Sequence, residues 1–78
     1  MAEVRAEFTV EPFTAGELGE HVKAAIDAAR LVGLEPHIGP FATTITGASE
    51  AVAEALHAVT VAAFAAGASR VSVSAERI

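Results

Sequence analysis

Two segments of strict alternation, at 4–11 and 70–75, restrict the fold most strongly. In each segment an apolar residue is followed by a polar one, the pattern of a strand with one buried face. Pro12 ends the first strand because proline cannot donate to the ladder of a sheet. The residues predicted to face inward are Val4, Ala6, Phe8 and Val10 in the first strand and Val71, Val73 and Ala75 in the last.

Two alanine-rich segments with apolar residues at helical spacing lie between these strands. The first is predicted from Leu18 to Val32, where Gly33 stops it, and Thr14 and Glu17 precede it at the spacing of a capping box. The second is predicted over 49–66 and ends before Gly67. The inner stripes are Leu18, Val22, Ala25, Ile26, Ala29 and Val32 in the first helix and Val52, Leu56, Val59, Ala63 and Ala66 in the second.

Two short strands are predicted between the helices. The segment 34–38 contains Pro36, which indicates an edge strand or a bulge. The segment 41–46 is rich in β-branched residues and lies between Gly39-Pro40 and Gly47, so we expect it to enter and leave through tight turns. Three of its residues are threonines, which give a row of small hydroxyl groups.

The predicted order is therefore β-α-β-β-α-β, which is the ferredoxin-like arrangement. We expect an α+β sandwich in which a four-stranded antiparallel sheet carries both helices on one face. Residues 1–78 form a single domain in this interpretation. The other face of the sheet is then uncovered and is formed by Arg5, Glu7, Thr9, Glu11, Glu35, His37, Ala42, Thr44, Thr46, Ser72 and Ser74. Such small polar residues suit the close approach of another sheet or of a flat ligand.

Composition excludes several classes of function. The net charge is −5 and the basic residues do not cluster, which argues against a nucleic-acid partner. Cysteine is absent, which excludes disulfides and thiolate metal sites, and the three histidines are too scattered to form a metal site. No apolar run reaches the roughly 20 residues needed to span a bilayer. We therefore expect a cytoplasmic, soluble protein without a cofactor, a bound metal or a membrane partner.

Catalysis has little support in the sequence. The chain has no cysteine nucleophile, no Ser-x-x-Lys arrangement and no glycine-rich phosphate loop. It also lacks Asn, Gln, Tyr and Trp, which removes many of the usual groups of catalysis and recognition. We therefore expect that the protein is not an enzyme.

In the segments 22–33, 39–47 and 67–71 the sequence resembles the thiamine-binding protein family. The family pattern Pro-Met-Gly-Thr-Thr-x-Glu-Gly is matched at Pro40, Thr43, Thr44 and Gly47, with Phe41 in place of Met and Ala42 in place of Gly. The resemblance implies a ferredoxin-like fold, assembly as dimers or tetramers, and binding of thiamine or its hydroxymethylpyrimidine fragment. The chain departs from the family where the glutamate falls on Thr46, and where a His-Glu pair of the second helix falls on Thr60 and Val61.

The residues that could bind such a ligand are Thr43, Thr44, His37, Phe41 and Thr60. Alternation places Thr43 on the helix side of its strand and Thr44 on the open side, so the two hydroxyls do not easily serve one pocket. Both threonines also suit a strand that only packs in a sheet. We expect His37 on the open face, where the alternative is a surface or interface residue, and His21 and His57 in solvent.

Two functions remain open at this point. The first is a non-enzymatic small-molecule binding protein for thiamine or its hydroxymethylpyrimidine fragment, acting as a homodimer or homotetramer. The second is a structural or regulatory assembly module without a ligand. Apolar residues on the outer side of the second helix, among them Val61 and Phe64, favour a protein partner in either case, most simply another copy.

Overall fold

The computed structural model describes residues 2–13 and 19–78. Its elements are β1 (Glu3–Glu11), α1 (Glu20–Leu31), β2 (His37–Ile38), β3 (Thr43–Ala48), α2 (Ser49–Ala65) and β4 (Arg70–Arg77). The strands form one open sheet in the order β2-β3-β1-β4, and every neighbouring pair is antiparallel. This order confirms the ferredoxin-like α+β fold expected from the sequence.

The central strand β1 organises the core. Its predicted inner residues Ala6, Phe8 and Val10 are buried beneath the helices, as the alternation of the sequence requires. Alanines occupy most of the buried helix positions, which allows α1 and α2 to pack closely against each other. The largest fully buried side chains are Phe8, Ile45, Val52 and Val59.

The two short strands differ from the sequence prediction in their bounds. The strand predicted over 34–38 is reduced to His37–Ile38 and lies at an edge of the sheet, as Pro36 indicated. The strand predicted over 41–46 begins only at Thr43 and continues to Ala48. It begins late because residues 39–42 form a turn. In this turn the amide of Gly39 donates a hydrogen bond to the carbonyl of Ala42, with 3.0 Å between nitrogen and oxygen.

The helices agree with the prediction except at their ends. Helix α1 begins at Glu20 and α2 ends at Ala65, each close to the predicted bound. The predicted capping box at 14–17 and the first stripe residue, Leu18, lie outside the described residues. Within the ranges 2–13 and 19–78, no helix is both long enough and apolar enough to cross a membrane.

Strand β4 was only partly predicted correctly. Register places Val73 opposite Phe8 and Ala75 opposite Ala6, so both residues lie on the helix side of the sheet. They are nevertheless exposed, with Val73 at 43%, because β4 is an edge strand. The helices therefore cover the centre of the sheet and leave this edge partly bare.

Candidate ligand-binding site

A pocket opens at one end of the sheet, on the side that carries the helices. Its volume is about 360 Å³, at the lower end of the range of small-molecule sites. It is built from the end of β1, the residue after Pro12, the first turns of α1, and the turn that leads from β2 into β3. The lining residues are Phe8, Thr9, Val10, Phe13, Val22, Ile38, Gly39, Pro40, Phe41, Ala42 and Thr43.

Aromatic side chains converge on this pocket. Three of the four phenylalanines of the chain line it. Phe8 is fully buried in the core, whereas Phe13 is 70% exposed and Phe41 is 87% exposed. Large apolar side chains so exposed cost free energy unless something covers them. The pocket thus offers flat, apolar surfaces suited to stacking against an aromatic ring.

Thr43 supplies a buried hydroxyl group in this apolar setting. It lies opposite Phe8 on β1 and Ile38 on β2, and only 7% of it is exposed. Its position on the helix side of the sheet follows from the alternation with Ile45, as predicted. A hydroxyl in such a place can fix the orientation of a ligand through a hydrogen bond that water competes for poorly.

The position of Phe41 depends on the tight turn before β3. A Cβ atom at Gly39 would lie 2.9 Å from the carbonyl oxygen of Ala42, closer than real Cβ atoms come to backbone. Only glycine therefore fits this turn without a shift of the backbone. The turn carries Phe41 away from the core and places it on the wall of the pocket.

His21 was predicted to lie in solvent, and that prediction was wrong. Its side chain is only 8% exposed, and its Nε2 atom lies 2.6 Å from the carbonyl oxygen of Pro12, at hydrogen-bonding distance. The ring packs against Gly19, where a Cβ atom would lie 2.5 Å from Cε1 of the imidazole. Helical periodicity did not predict this contact because His21 contacts Pro12, which lies outside the helices and the sheet. The sequence feature that could have indicated it is Gly19, two residues earlier, which leaves room for the ring.

This contact sits beside the pocket. His21 lies near the start of α1 and contacts Pro12, which follows β1. The residues next to these two in sequence, Phe13 and Val22, both line the cavity. This contact therefore fixes the end of the β1 segment against the start of α1 at the wall of the pocket. We assign it a positioning role in this region.

The opposite face of the sheet carries a separate row of polar residues. Register places His37 beside Thr44, Thr44 beside Glu7, and Glu7 beside Ser74. Next to this row Arg5 donates a hydrogen bond to Glu76, and this bond raises the pKa of Arg5. These groups are mostly open to solvent.

The structure therefore divides the predicted site residues. Thr43 and Phe41 line one pocket, whereas Thr44 and His37 lie together on the other face. Thr60 belongs to neither group, since it lies on α2. Its hydroxyl donates a hydrogen bond to the carbonyl of Leu56, with 2.8 Å between the two oxygens. Among the residues that the structure describes, no three His, Cys, Asp or Glu side chains are grouped so that they could hold a metal ion.

Solved structures with the same fold come from archaea and bacteria. A hypothetical protein from Methanocaldococcus jannascii superposes with a TM-score of 0.73 at 20% identity, over 100% of this chain and 80% of that one. A Thermotoga maritima protein, provisionally described as acting in thiamine biosynthesis or salvage, gives a TM-score of 0.69 at 22% identity, over 96% and 81% of the two chains. A Bacillus cereus domain of unknown function gives 0.60 at 23% identity, over 99% and 75%. At these identities the likeness concerns the fold alone.

The sequence itself provides a more specific relationship. No curated protein matches the chain. The family model of the thiamine-binding proteins, in contrast, matches residues 6–76, which include most of β1, both helices, β2, β3 and most of β4. The chain therefore belongs to the thiamine-binding protein family.

Proposed function

We propose that this protein is a non-enzymatic homo-oligomer that binds thiamine or its hydroxymethylpyrimidine moiety in the pocket around Thr43. The observation that carries the proposal is the combination of one buried hydroxyl with three phenylalanines in a single cavity. A pyrimidine ring is flat and carries polar atoms at its edge. Stacking on the aromatic walls and one hydrogen bond at the buried end match both properties.

The lining of the pocket supports binding rather than catalysis. None of the described residues that line it carries an ionisable side chain. General acid–base catalysis needs such a group within hydrogen-bond reach of the reacting atoms. A cationic thiazolium ring would instead be attracted by the faces of Phe13 and Phe41 at the mouth, and by the net charge of −5 of the whole chain.

Calorimetric titration with thiamine and, separately, with hydroxymethylpyrimidine tests the proposal. We expect saturable heat from both at submillimolar concentration, since both carry the ring that the pocket would hold. Thiazole alone serves as a control and should bind more weakly. Absence of heat from thiamine and from hydroxymethylpyrimidine at these concentrations would contradict the proposal.

A structural or regulatory assembly module without a ligand is the second candidate. The exposed Val61 and Phe64 on α2 favour it, because a monomer rarely leaves such side chains in water. The two candidates differ in one measurement. A protein that assembles, but gives no heat with either thiamine compound, is an assembly module.

A further inference from the structure

Strand β4 forms a long free edge of the sheet. It has eight residues and is last in the strand order, so within residues 2–13 and 19–78 no strand pairs with the outer side of its backbone. The other edge, β2, has only two residues and follows Pro36, which limits pairing there. We propose that a second copy of this chain pairs its β4 antiparallel with the β4 edge, with Arg70 of each copy opposite Glu76 of the other. This interface rests on the proposed homo-oligomer and specifies which residues of the two β4 strands face each other.

The backbone limits the registers that such a pair can adopt. The amide of Ile78 donates a hydrogen bond to the carbonyl of Glu3 on β1, with 3.0 Å between nitrogen and oxygen. Because bonding alternates along an antiparallel ladder, the even-numbered residues of β4 bond to β1. The free edge then presents the amides and carbonyls of the odd-numbered residues, Val71, Val73 and Ala75. A two-fold pair can bond only if odd residues of one copy face odd residues of the other.

Among these registers, one brings opposite charges together. When Val73 faces its own counterpart, Arg70 faces Glu76 and Ser72 faces Ser74, and symmetry repeats both pairs. The next register in either direction places Arg70 opposite Ser74 or Ile78 and loses the charge pairs. Even-numbered positions are the non-hydrogen-bonded pairs of this new ladder, where side chains approach most closely. Opposite charges at such positions stabilise a sheet.

Both charged residues remain able to reach a second partner. Arg70 lies 3.7 Å from Glu11 of its own chain, and its side chain is mostly in solvent. The side chain of Glu76, which contacts Arg5, is likewise mostly exposed. A second copy would add to these pairs and build a line of alternating charges across the joined sheets.

The helix side of β4 indicates that the occupant is a second copy rather than an isolated peptide strand. Val73 is half-exposed on this side, because α2 packs across β3, β1 and β4 and does not cover the edge. In the register that places Val73 opposite its own counterpart, the two valines lie side by side on the helix side of the joined sheets, on strands about 4.8 Å apart. Each valine would then cover part of the other. A second copy thus brings a matching apolar side chain to Val73 by symmetry, which an unrelated peptide strand does not.

Charge reversal tests the register by sedimentation equilibrium on the full chain. Arg70→Glu and Glu76→Arg each place like charges opposite one another, and we expect each variant to dimerise roughly tenfold more weakly. A one-to-one mixture of the two variants restores both charge pairs and should dimerise as the unmodified protein does. Arg77→Glu makes the same charge change as Arg70→Glu on the same strand, at a position that faces Ser69 in this register, and should have little effect. Glu11→Gln removes the internal partner of Arg70 and controls for that loss.

A single introduced thiol tests the same register independently, because the chain has no cysteine. Val73→Cys should form a disulfide-linked dimer under mild oxidation, since its counterpart lies directly opposite at about 5.5 Å between Cα atoms. Ala75→Cys, on the same side of the strand, is the control and should remain unlinked, because its counterpart lies four residues away along the partner strand.

The outcomes separate this inference from the proposed function. A protein that dimerises but is insensitive to both charge reversals, and whose Val73→Cys variant does not form a linked dimer, has its interface elsewhere; the register is then wrong and the homo-oligomer stands. A protein that stays monomeric near 7.9 kDa at all concentrations contradicts both. Thiamine binding is measured separately by calorimetry and does not depend on either result.

Discussion

The two sides of β3 place the same residue type in opposite environments. Thr43 faces an apolar pocket with aromatic walls, and Thr44, its neighbour in sequence, faces a polar row that includes Glu7 and His37. A hydroxyl in the pocket competes with little water, so its hydrogen bond to a ligand strengthens and directs binding. A hydroxyl in the polar row exchanges one hydrogen-bond partner for another at little net gain.

This contrast explains how a pocket so poor in polar side chains could still recognise a ligand. The pocket needs only one buried hydroxyl, because exclusion of water makes a single group discriminating. The polar row has more groups but lies open to solvent, where charge pairs contribute little. Recognition is therefore expected on the helix side of β3.

Phe8 and Glu7 give the largest expected difference between the two sides. Phe8 is 2% exposed and forms part of both the core and the pocket, so Phe8→Ala should lower the free energy of unfolding by about 3–5 kcal/mol. Glu7→Ala, on the open face, should change it by less than about 0.5 kcal/mol. Urea unfolding followed by circular dichroism measures both. Equal losses from the two substitutions would show that the open face is covered in solution, for example by another copy.

Thr43 and Thr44 compare the two sides in ligand binding. Thr43→Val keeps the shape of the side chain and removes its hydroxyl, which should cost about 1–3 kcal/mol of binding free energy, or roughly 5- to 150-fold in affinity. Thr44→Val is the matched control and should leave the affinity within about twofold. Titration calorimetry with thiamine measures both variants. The reverse result would move the site to the open face beside His37.

Much of the fold was predictable because its signals are local. Alternation in β1 and helical spacing in 49–66 each report which side of one element is buried. Both patterns predicted the buried side, although the complete burial of Ala55 was not predicted. The exposure of Val73 was not predictable in this way. Its strand has the alternating pattern of a covered one, and only the order of strands in the sheet places it at an edge.

The candidate site was predictable in part for the same reason. Alternation assigned the residues of β3 to the correct sides of the sheet, with Thr43 on the side that carries the helices. The convergence of Phe8, Phe13 and Phe41 was not predicted, since they come from three segments that only the tertiary fold brings together. The burial of His21 depends in the same way on a contact with a loop.

His21 gives an intermediate effect that concerns the wall of the pocket. His21→Ala removes its contact with Pro12 and should lower the free energy of unfolding by about 1–2 kcal/mol. It should also weaken thiamine binding, because Phe13 and Val22 line the pocket on either side of this contact. His57→Ala, on the exposed side of α2, is the control and should alter neither quantity. Loss of stability with unchanged affinity would show that the contact serves the fold alone.

Thr60 should give the smallest effect and sets the outer limit of the site. Its hydroxyl already donates to the carbonyl of Leu56 within α2, and Thr60 is not among the residues that line the pocket. Since that carbonyl also belongs to the backbone ladder of the helix, its loss of a second donor costs little. Thr60→Val should therefore change the free energy of unfolding by less than about 0.5 kcal/mol and leave thiamine affinity unaltered. A tenfold loss of affinity in calorimetry would instead place Thr60 at the ligand, and the site would then have to include the surface of α2 as well as β3.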